Sequence, residues 1–270
     1  MANLLSQDID TSKVISTREG QNLIITLNRP EKRNALNGSL LYGIKAAFED
    51  VYANSEVRTI IVRGEGPGFS AGVDFTALAE SPLFSNDNQA ARNLIREMQE
   101  IFNYIEDIEK PVIFALHGFC FGMATEMVLA GDFRIAREGT KIGINEVAVG
   151  LIPDCGGIAR LTKLIGPIKA KEMIMTAKMI DANEAKEIQL FNDVAKDEME
   201  EALKLADMLN KNAPLAIGMA KKIINRGEHM DVRSILELEA IGQTTLINTE
   251  DVKEGLSAKL ERREAKFTGK

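Results

Sequence analysis

Cysteine is scarce in this chain: only Cys120 and Cys155 occur, far apart and without a CxxC spacing. That excludes a disulfide-stapled scaffold and fits reduced, intracellular thiols. Histidine is equally rare. His117 and His229 are the two present, no H-E-x-x-H occurs, and no set of His and Cys has ligand spacing, so no metal site is expected. Basic charge is in deficit, with 33 Lys and Arg against 40 Asp and Glu and a net charge of −7. Such a balance argues against a nucleic-acid partner, which needs a basic surface to displace counterions. It leaves room for a polyanionic ligand held by a few local cations. No apolar run reaches the roughly 18 residues needed to span a bilayer, so no membrane association is expected. Met1 to Thr17 shows no basic stretch followed by an apolar one, so no secretory leader is expected and the reading is cytoplasmic. What is there is ordinary: 270 residues, 45% apolar and 27% charged, enough to bury a large core without staples.

Strand and helix signals alternate through the first two thirds. Leu23 to Leu27 is a β-rich run closed by Asn28-Arg29-Pro30. Ser39 is placed to cap a helix to about Ala53, with Leu40, Ile44, Ala47, Phe48 and Val51 at helical spacing. Thr59 to Val62 reads as a buried strand ahead of the Gly64–Gly68 turn, and a long helix is predicted from Asn88 to Glu109. A strand from Val112 to Leu116, a helix from Met123 to Ala130 and a strand from Phe133 to Ala136 follow. Alternation of this kind implies βαβ crossovers and a largely parallel sheet. Beyond Gly157 the pattern turns helical: Gly157–Ile165, Lys169–Ala177, Asn183–Glu187, Asp197–Leu209, Pro214–Glu228, Val232–Ile247 and Val252–Lys266. The expected organisation is an α/β core over residues 1–190 and a helical region over 191–270.

Two familiar patterns overlap at the turn after the Thr59–Val62 strand. Gly66-Pro67-Gly68-Phe69-Ser70-Ala71 fits the dinucleotide fingerprint G-x-G-x-x-A, but Pro67 and Phe69 delay the helix that motif should open. Gly68-Phe69-Ser70-Ala71-Gly72 fits the serine-hydrolase elbow G-x-S-x-G. A Gly/Pro turn separates that serine from its strand, and neither histidine sits in a supporting motif, so Ser70 reads better as a turn residue. A carboxylate stands out more. Glu126 lies in the otherwise apolar helix Met123–Ala130, where burial costs several kcal/mol unless the group is paired or protonated, so it is expected to have a task. Glu146, alone, is an ordinary loop residue.

Taken together, several segments resemble the crotonase (enoyl-CoA hydratase/isomerase) superfamily. They are Asn28-Arg29-Pro30 with Asn34-Ala35-Leu36, Gly68 to Asp74, Lys110 to Ile113, His117 to Glu126, Gly150 to Gly157 and Arg160-Leu161, in the family's order and spacing. The tail from Glu254-Gly255 to Lys266-Phe267 continues the likeness, which covers nearly the entire chain. The resemblance implies an α/β crotonase fold, a spiral of βαβ units with a helical C-terminal trimerisation region, assembled as a homotrimer or a hexamer (dimer of trimers).

By the same resemblance Glu126 and Glu146 are the catalytic acids of an enoyl-CoA hydratase. They would hold a water between them and add it across a conjugated C=C, one taking the water's proton and the other supplying the α-proton. The amides of Val73 and Met123 would form the oxyanion hole for the thioester enolate, with Gly118 and Gly122 permitting the tight turn before it. The family commonly has glycine where this chain has Met123, which narrows the acyl pocket. Asp154 is a third candidate catalytic residue. Many simple hydratases have glycine there, whereas some dienoyl-CoA isomerases carry Asp. It opens the alternative of double-bond isomerisation through Glu146 and Asp154, against a helix N-cap role. Dienoyl isomerases usually have Asp at the position of Glu126, which favours the hydratase. Candidate coenzyme A contacts are Arg29, Lys32, Arg33, Ala35, Ala71, Gly72 and Asp74. The tail residues Phe267 and Lys270, with Arg262, Arg263 and Lys266 nearby, are placed to complete the site, from a neighbouring subunit if not their own. No cofactor is implied, since acyl-CoA is the substrate. RNA binding, known for some relatives, calls for a basic helix stripe that this acidic chain lacks.

Overall fold

Short β-branched and aromatic runs build the core, and helices close over it. In the computed structural model, which describes residues 10–227 and 230–270, a hairpin of β1 (Val14–Glu19) and β2 (Asn22–Leu27) comes first. Helix α1 (Gly38–Tyr52) returns the chain to β3 (Thr59–Gly64), parallel to β2. The short α2 (Phe75–Ala79) and long α3 (Asn88–Asp107) lead to β4 (Val112–Leu116), parallel to β3. Next come β5 (Phe119–Phe121), α4 (Met123–Val128), β6 (Phe133–Arg137) and β7 (Lys141–Gly143). Then follow α5 (Gly157–Thr176), β8 (Met179–Asp181), α6 (Ala182–Glu187) and β9 (Asp193–Ala195). Helices α7 (Glu198–Asn210), α8 (Pro214–Gly227), α9 (Val232–Leu246) and α10 (Glu250–Glu261) come last. The main sheet has the order β1-β2-β3-β4-β6-β9, parallel except for the first pair, and β5-β7-β8 form a second, smaller sheet.

Period-two alternation explains how the sheet is sandwiched. Leu23, Ile25, Leu27, Ile60, Val62, Val112, Phe114 and Leu116 face one side, against Leu40, Ile44 and Phe48 of α1 and Leu94, Met98 and Phe102 of α3. Ile24, Ile61, Ile113, Ala115 and Ile135 face the other, under Ala202 and Ala206 of α7. Both faces are therefore dry, which is why these strands are continuous apolar runs in sequence. Each Leu, Ile or Phe so buried contributes about 1.5–3 kcal/mol. The sheet takes its sixth strand and the helix covering one face from beyond residue 190, while α8 and α9 pack on each other. Among the described residues no helix is long and apolar enough to cross a membrane.

Several local expectations change. Asn37, not Ser39, caps α1, accepting from the Leu40 N–H at 3.2 Å, and Ser39 lies inside the helix, buried. Strands β1, β5, β7, β8 and β9 were not predicted. Four of them have only three residues, too few to show a period, and β1 is exposed along nearly all its length. The break between the helices expected at 157–165 and 169–177 is a kink inside α5, where Gly166 takes φ 76° ahead of Pro167. The last helix ends at Glu261 rather than Lys266, with Arg262 left-handed. His229, and Glu228 at the predicted end of α8, lie outside the described residues.

Candidate active site

The loops leaving the C-terminal ends of β3 and β4 run side by side, the usual place for a ligand site in a parallel sheet. Buried Asn34 ties down the first loop: its Nδ2 donates to the carbonyls of Glu65, Gly68 and Phe69, and its Oδ1 accepts from the Arg29 N–H. Ser70 is also buried. Its hydroxyl donates to the Asn34 carbonyl at 2.7 Å and accepts from the Gly72 N–H at 3.2 Å, a structural role that leaves no hydroxyl for a nucleophile. His117 Nε2 is engaged with the Gly66 carbonyl at 2.9 Å. No serine triad forms among the described residues. Nor does a helix open at the glycines: α2 starts only at Phe75 and is five residues long, against the dinucleotide reading.

Residues 70–74 are held on both sides. A parallel bridge joins Ser70 to Cys120, and another joins Val73 to Leu36. The second uses the Gly72 carbonyl and the Asp74 N–H, so the Val73 N–H points the other way. Across from it, Gly122 is the N-cap of α4 with no side-chain cap bond, and its own N–H goes to the Gly143 carbonyl. Among the described residues, neither the Val73 nor the Met123 N–H has a hydrogen-bond partner. The chain thus presents two open backbone donors where the two loops separate.

Three carboxyls gather next to them. Glu126, on α4, is 1% exposed, and its Oε2 accepts from the amides of Cys155 at 2.7 Å and Gly157 at 2.8 Å. Burial, and then the neighbouring charge of Glu146, push it up to about 8 against those two stabilising bonds. Glu146 opens a 3-10 turn (Glu146–Val149). Both its carboxyl oxygens are buried without a hydrogen-bond partner among the described residues, and burial raises its pKa, with the charge of Asp154 adding to it. A Cβ at Gly122 would come within 3.1 Å of Glu146 Oε1. Glycine at φ 53° therefore lets that carboxyl lie against the start of α4.

Asp154 is not the N-cap of α5, as one reading proposed. Gly156 occupies that position with no side-chain cap. The Asp154 carboxyl instead accepts from Cys155 Sγ at 3.5 Å, and burial raises its pKa. Glu126, Asp154 and Cys155 each bring a potential ligand atom within 4.8 Å of the others, a convergence no sequence spacing announced. The two carboxyls are shifted toward their neutral forms and the thiol is pushed well above its usual range, chiefly by burial. Glu126 and the Cys155 thiol thus hold their protons near neutral pH, which suits proton transfer better than binding a cation.

The candidate coenzyme A contacts are dispersed. Arg29 and Asp74 form a half-buried ion pair at 2.6 Å. Arg29 also donates to the Ala35 carbonyl, and Asp74 caps α2. Lys32 and Arg33 are exposed and enter no ion pair among the described residues; the Arg33 carbonyl accepts from the Ala71 N–H. Phe267 and Lys270 lie elsewhere. The Phe267 carbonyl accepts from Arg58, just before β3, and the Lys270 carbonyl accepts from the Asp251 N–H. Ala71 follows the far end of β3, a strand of six residues and so about 20 Å long. Within one chain the tail does not meet Ala71.

Comparison with known proteins agrees with this architecture. The sequence model of the enoyl-CoA hydratase/isomerase family matches residues 18–270. The crotonyl-CoA hydratase of Syntrophomonas wolfei is 35% identical over 260 residues, covering 95% of this chain and 98% of that one. The 2,3-dehydroadipyl-CoA hydratase of Escherichia coli is 32% identical over 261 residues, covering 96% and 100%. The crystal structure of an enoyl-CoA hydratase from Bacillus anthracis superposes with a TM-score of 0.89 at 31% identity, covering 96% of this chain and 100% of that one. The fold is that of the crotonase superfamily. Within it, this chain belongs to the enoyl-CoA hydratase/isomerase family.

Proposed function

We propose that this protein adds water across the conjugated C=C of an α,β-unsaturated acyl-CoA, with Glu126 and Glu146 as its acid–base pair. The observation that carries this reading is the pairing of two buried, mutually repelling carboxyls beside two open backbone donors. Carboxyls that repel share a proton near neutral pH. A water held between them can lose a proton to one and attack the β-carbon, while the other delivers a proton to the α-carbon. The Val73 and Met123 amides would donate to the thioester oxygen and stabilise the negative charge that builds on it. Val73 lies in the bridged segment 70–74 and Met123 directly follows the paired segment 119–122, so both donors are held in place before the reaction. Arg33, whose carbonyl accepts from the Ala71 N–H, and its neighbour Lys32 are exposed cations beside segment 70–74 and suit the phosphates of coenzyme A. The named reactions of the Syntrophomonas and Escherichia relatives support an acyl-CoA hydration, which needs no added cofactor.

Double-bond isomerisation is the second reading, and the observation favouring it is Asp154, which is free of any capping duty and sits in the same carboxyl cluster. A panel of crotonyl-CoA, a longer 2-enoyl-CoA, a 3-enoyl-CoA and linear and cyclic dienoyl-CoAs, read by mass, separates the two. Gain of one water is the expected result, with Glu126→Gln and Glu146→Gln each lowering kcat by about 10²-fold or more. Rearrangement without mass change, abolished by Asp154→Asn, would replace the hydratase with the isomerase.

A further inference from the structure

The two amides that hold Glu126 belong to peptide units whose other ends are tied down as well. The Asp154–Cys155 peptide donates its N–H to Glu126 Oε2 at 2.7 Å, and its carbonyl accepts from Gln99 Nε2 at 2.6 Å. The Gly156–Gly157 peptide donates to the same oxygen at 2.8 Å, and its carbonyl accepts from the Arg160 N–H at 2.8 Å. Between them, the Cys155 carbonyl accepts from Arg160 Nη1 at 3.2 Å. The Arg160 guanidinium is itself fixed by α3, donating to Asn103 Oδ1 at 2.8 Å and to Glu106 Oε2 at 2.9 and 2.6 Å. Gln99, Asn103 and Glu106 recur at helical spacing. They form a polar line beside the buried Met98, Phe102 and Ile105, and all three serve the turn before α5.

We propose that Gln99 is a positioning residue for Glu126, acting through the Asp154–Cys155 peptide to orient and polarise the N–H that grips the carboxyl. Arg160, braced by Asn103 and Glu106, steadies the rest of the turn. The inference rests on the reading of Glu126 as an acid–base group. Hydrogen bonds in series strengthen one another, so a donor on the Asp154 carbonyl makes the Cys155 N–H at the other end of the amide a better donor. That N–H stabilises the ionised carboxyl. Loss of the Gln99 donor therefore favours the neutral form. The ionisable groups facing Glu126 are Glu146 from its 3-10 turn and Asp154 and Cys155 from the turn before α5. The Arg160–Glu106 pair lies one layer out. A neutral substitution at position 99 alters none of these charges.

The test is Gln99→Met, which keeps the length of the side chain and removes the donor. The Glu126 carboxyl is titrated by carbon-13 NMR in the full-length protein, its signal assigned by comparison with Glu126→Gln, and kcat and KM are measured against pH in parallel. The expected result is an upward move of the Glu126 titration by about half a unit. With it, kcat should fall about tenfold while KM stays roughly constant. Gln99→Leu, equally unable to donate, should move the titration the same way. An unmoved titration in either folded variant, even with lowered thermal stability, assigns Gln99 to structure alone and overturns the proposal. Because the titration needs no turnover, it separates the two readings: a wild type inactive on enoyl-CoAs whose Glu126 still responds to Gln99 refutes the hydratase and keeps the positioning role.

Discussion

Glu126 shows how one residue's chemistry is set by its surroundings. Its helix was legible as apolar in sequence, and a carboxyl on such a helix signals a task. The Cys155 and Gly157 amides that satisfy it carry no sequence signature, since any residue has an N–H. The ionisation of Glu126 couples to stability. Unfolded, it releases its proton near the ordinary 4.5; folded, it keeps the proton up to about 8. The stability favouring the neutral form is full below the lower value and is lost as pH rises through the upper one. Gln at this position cannot ionise and can still accept from both amides. Glu126→Gln should therefore gain stability relative to wild type progressively between about pH 4.5 and about pH 8, and hold a constant advantage above that. Urea midpoints across that range check this; a difference independent of pH would show that Glu126 ionises as freely in the folded state as in the unfolded one. Glu146 was not legible from its own surroundings, because a loop carboxylate is common and only its position in an ordered set of segments marked it.

At the scale of elements, the site depends on the start of α5 coming close to α4. Gly157 makes that approach possible: a Cβ there would fall 2.7 Å from Pro153 Cβ and 2.8 Å from Glu126 Oε2. Gly157→Ala must push the turn away from the carboxyl it holds. The expected cost is about 1–3 kcal/mol of stability, with kcat reduced more than KM is raised. Denaturation and steady-state kinetics together check it, and an active, fully stable alanine variant would show that the turn can shift without consequence. The elements that were legible are those with a periodic or continuous apolar signal: β2, β3, β4, β6, α1 and the helices from α3 to α10, with α5 read as two helices. The strands of three residues were not, because their pairing comes from the geometry of neighbouring loops rather than from a pattern of their own. The cap of α1 was misplaced by two residues because Asn37 and Ser39 are both good caps by type, and only backbone conformation distinguishes them.

For the whole molecule, two contacts matter beyond the site. Lys221 of α8 reaches under the main sheet, bonding Asp132 Oδ2 at 2.8 Å and the Lys110 carbonyl at 3.0 Å, while the same Asp132 oxygen accepts from the Val112 N–H. Lys221→Met leaves a half-buried carboxylate without its cation and should cost about 1–3 kcal/mol, with much of it regained by adding Asp132→Asn. Urea denaturation of the two variants measures this, and a mild single-variant effect would mean that water enters the interface. The helical region also leaves Ile224, Val232, Leu236, Ile241, Leu256 and Leu260 exposed on one chain. The homotrimer implied by the family resemblance would cover apolar surface of this kind. Sedimentation should then give a mass that is a multiple of three times 29.7 kDa, and a monomer at micromolar concentration would refute the assembly.

Order along the chain is enough to establish a parallel α/β core, a helical C-terminal stretch and the family itself. Strand and helix periods are local, and so are motifs repeated in a known sequence. Tertiary structure alone decides which backbone amides hold Glu126, that Arg29 and Asp74 neutralise each other, that the tail lies at the opposite end of β3 from Ala71, and that Gln99 reaches the turn before α5. Those outcomes depend on distances between residues tens of positions apart, which the side-chain types along a chain do not specify until the sheet has brought them together.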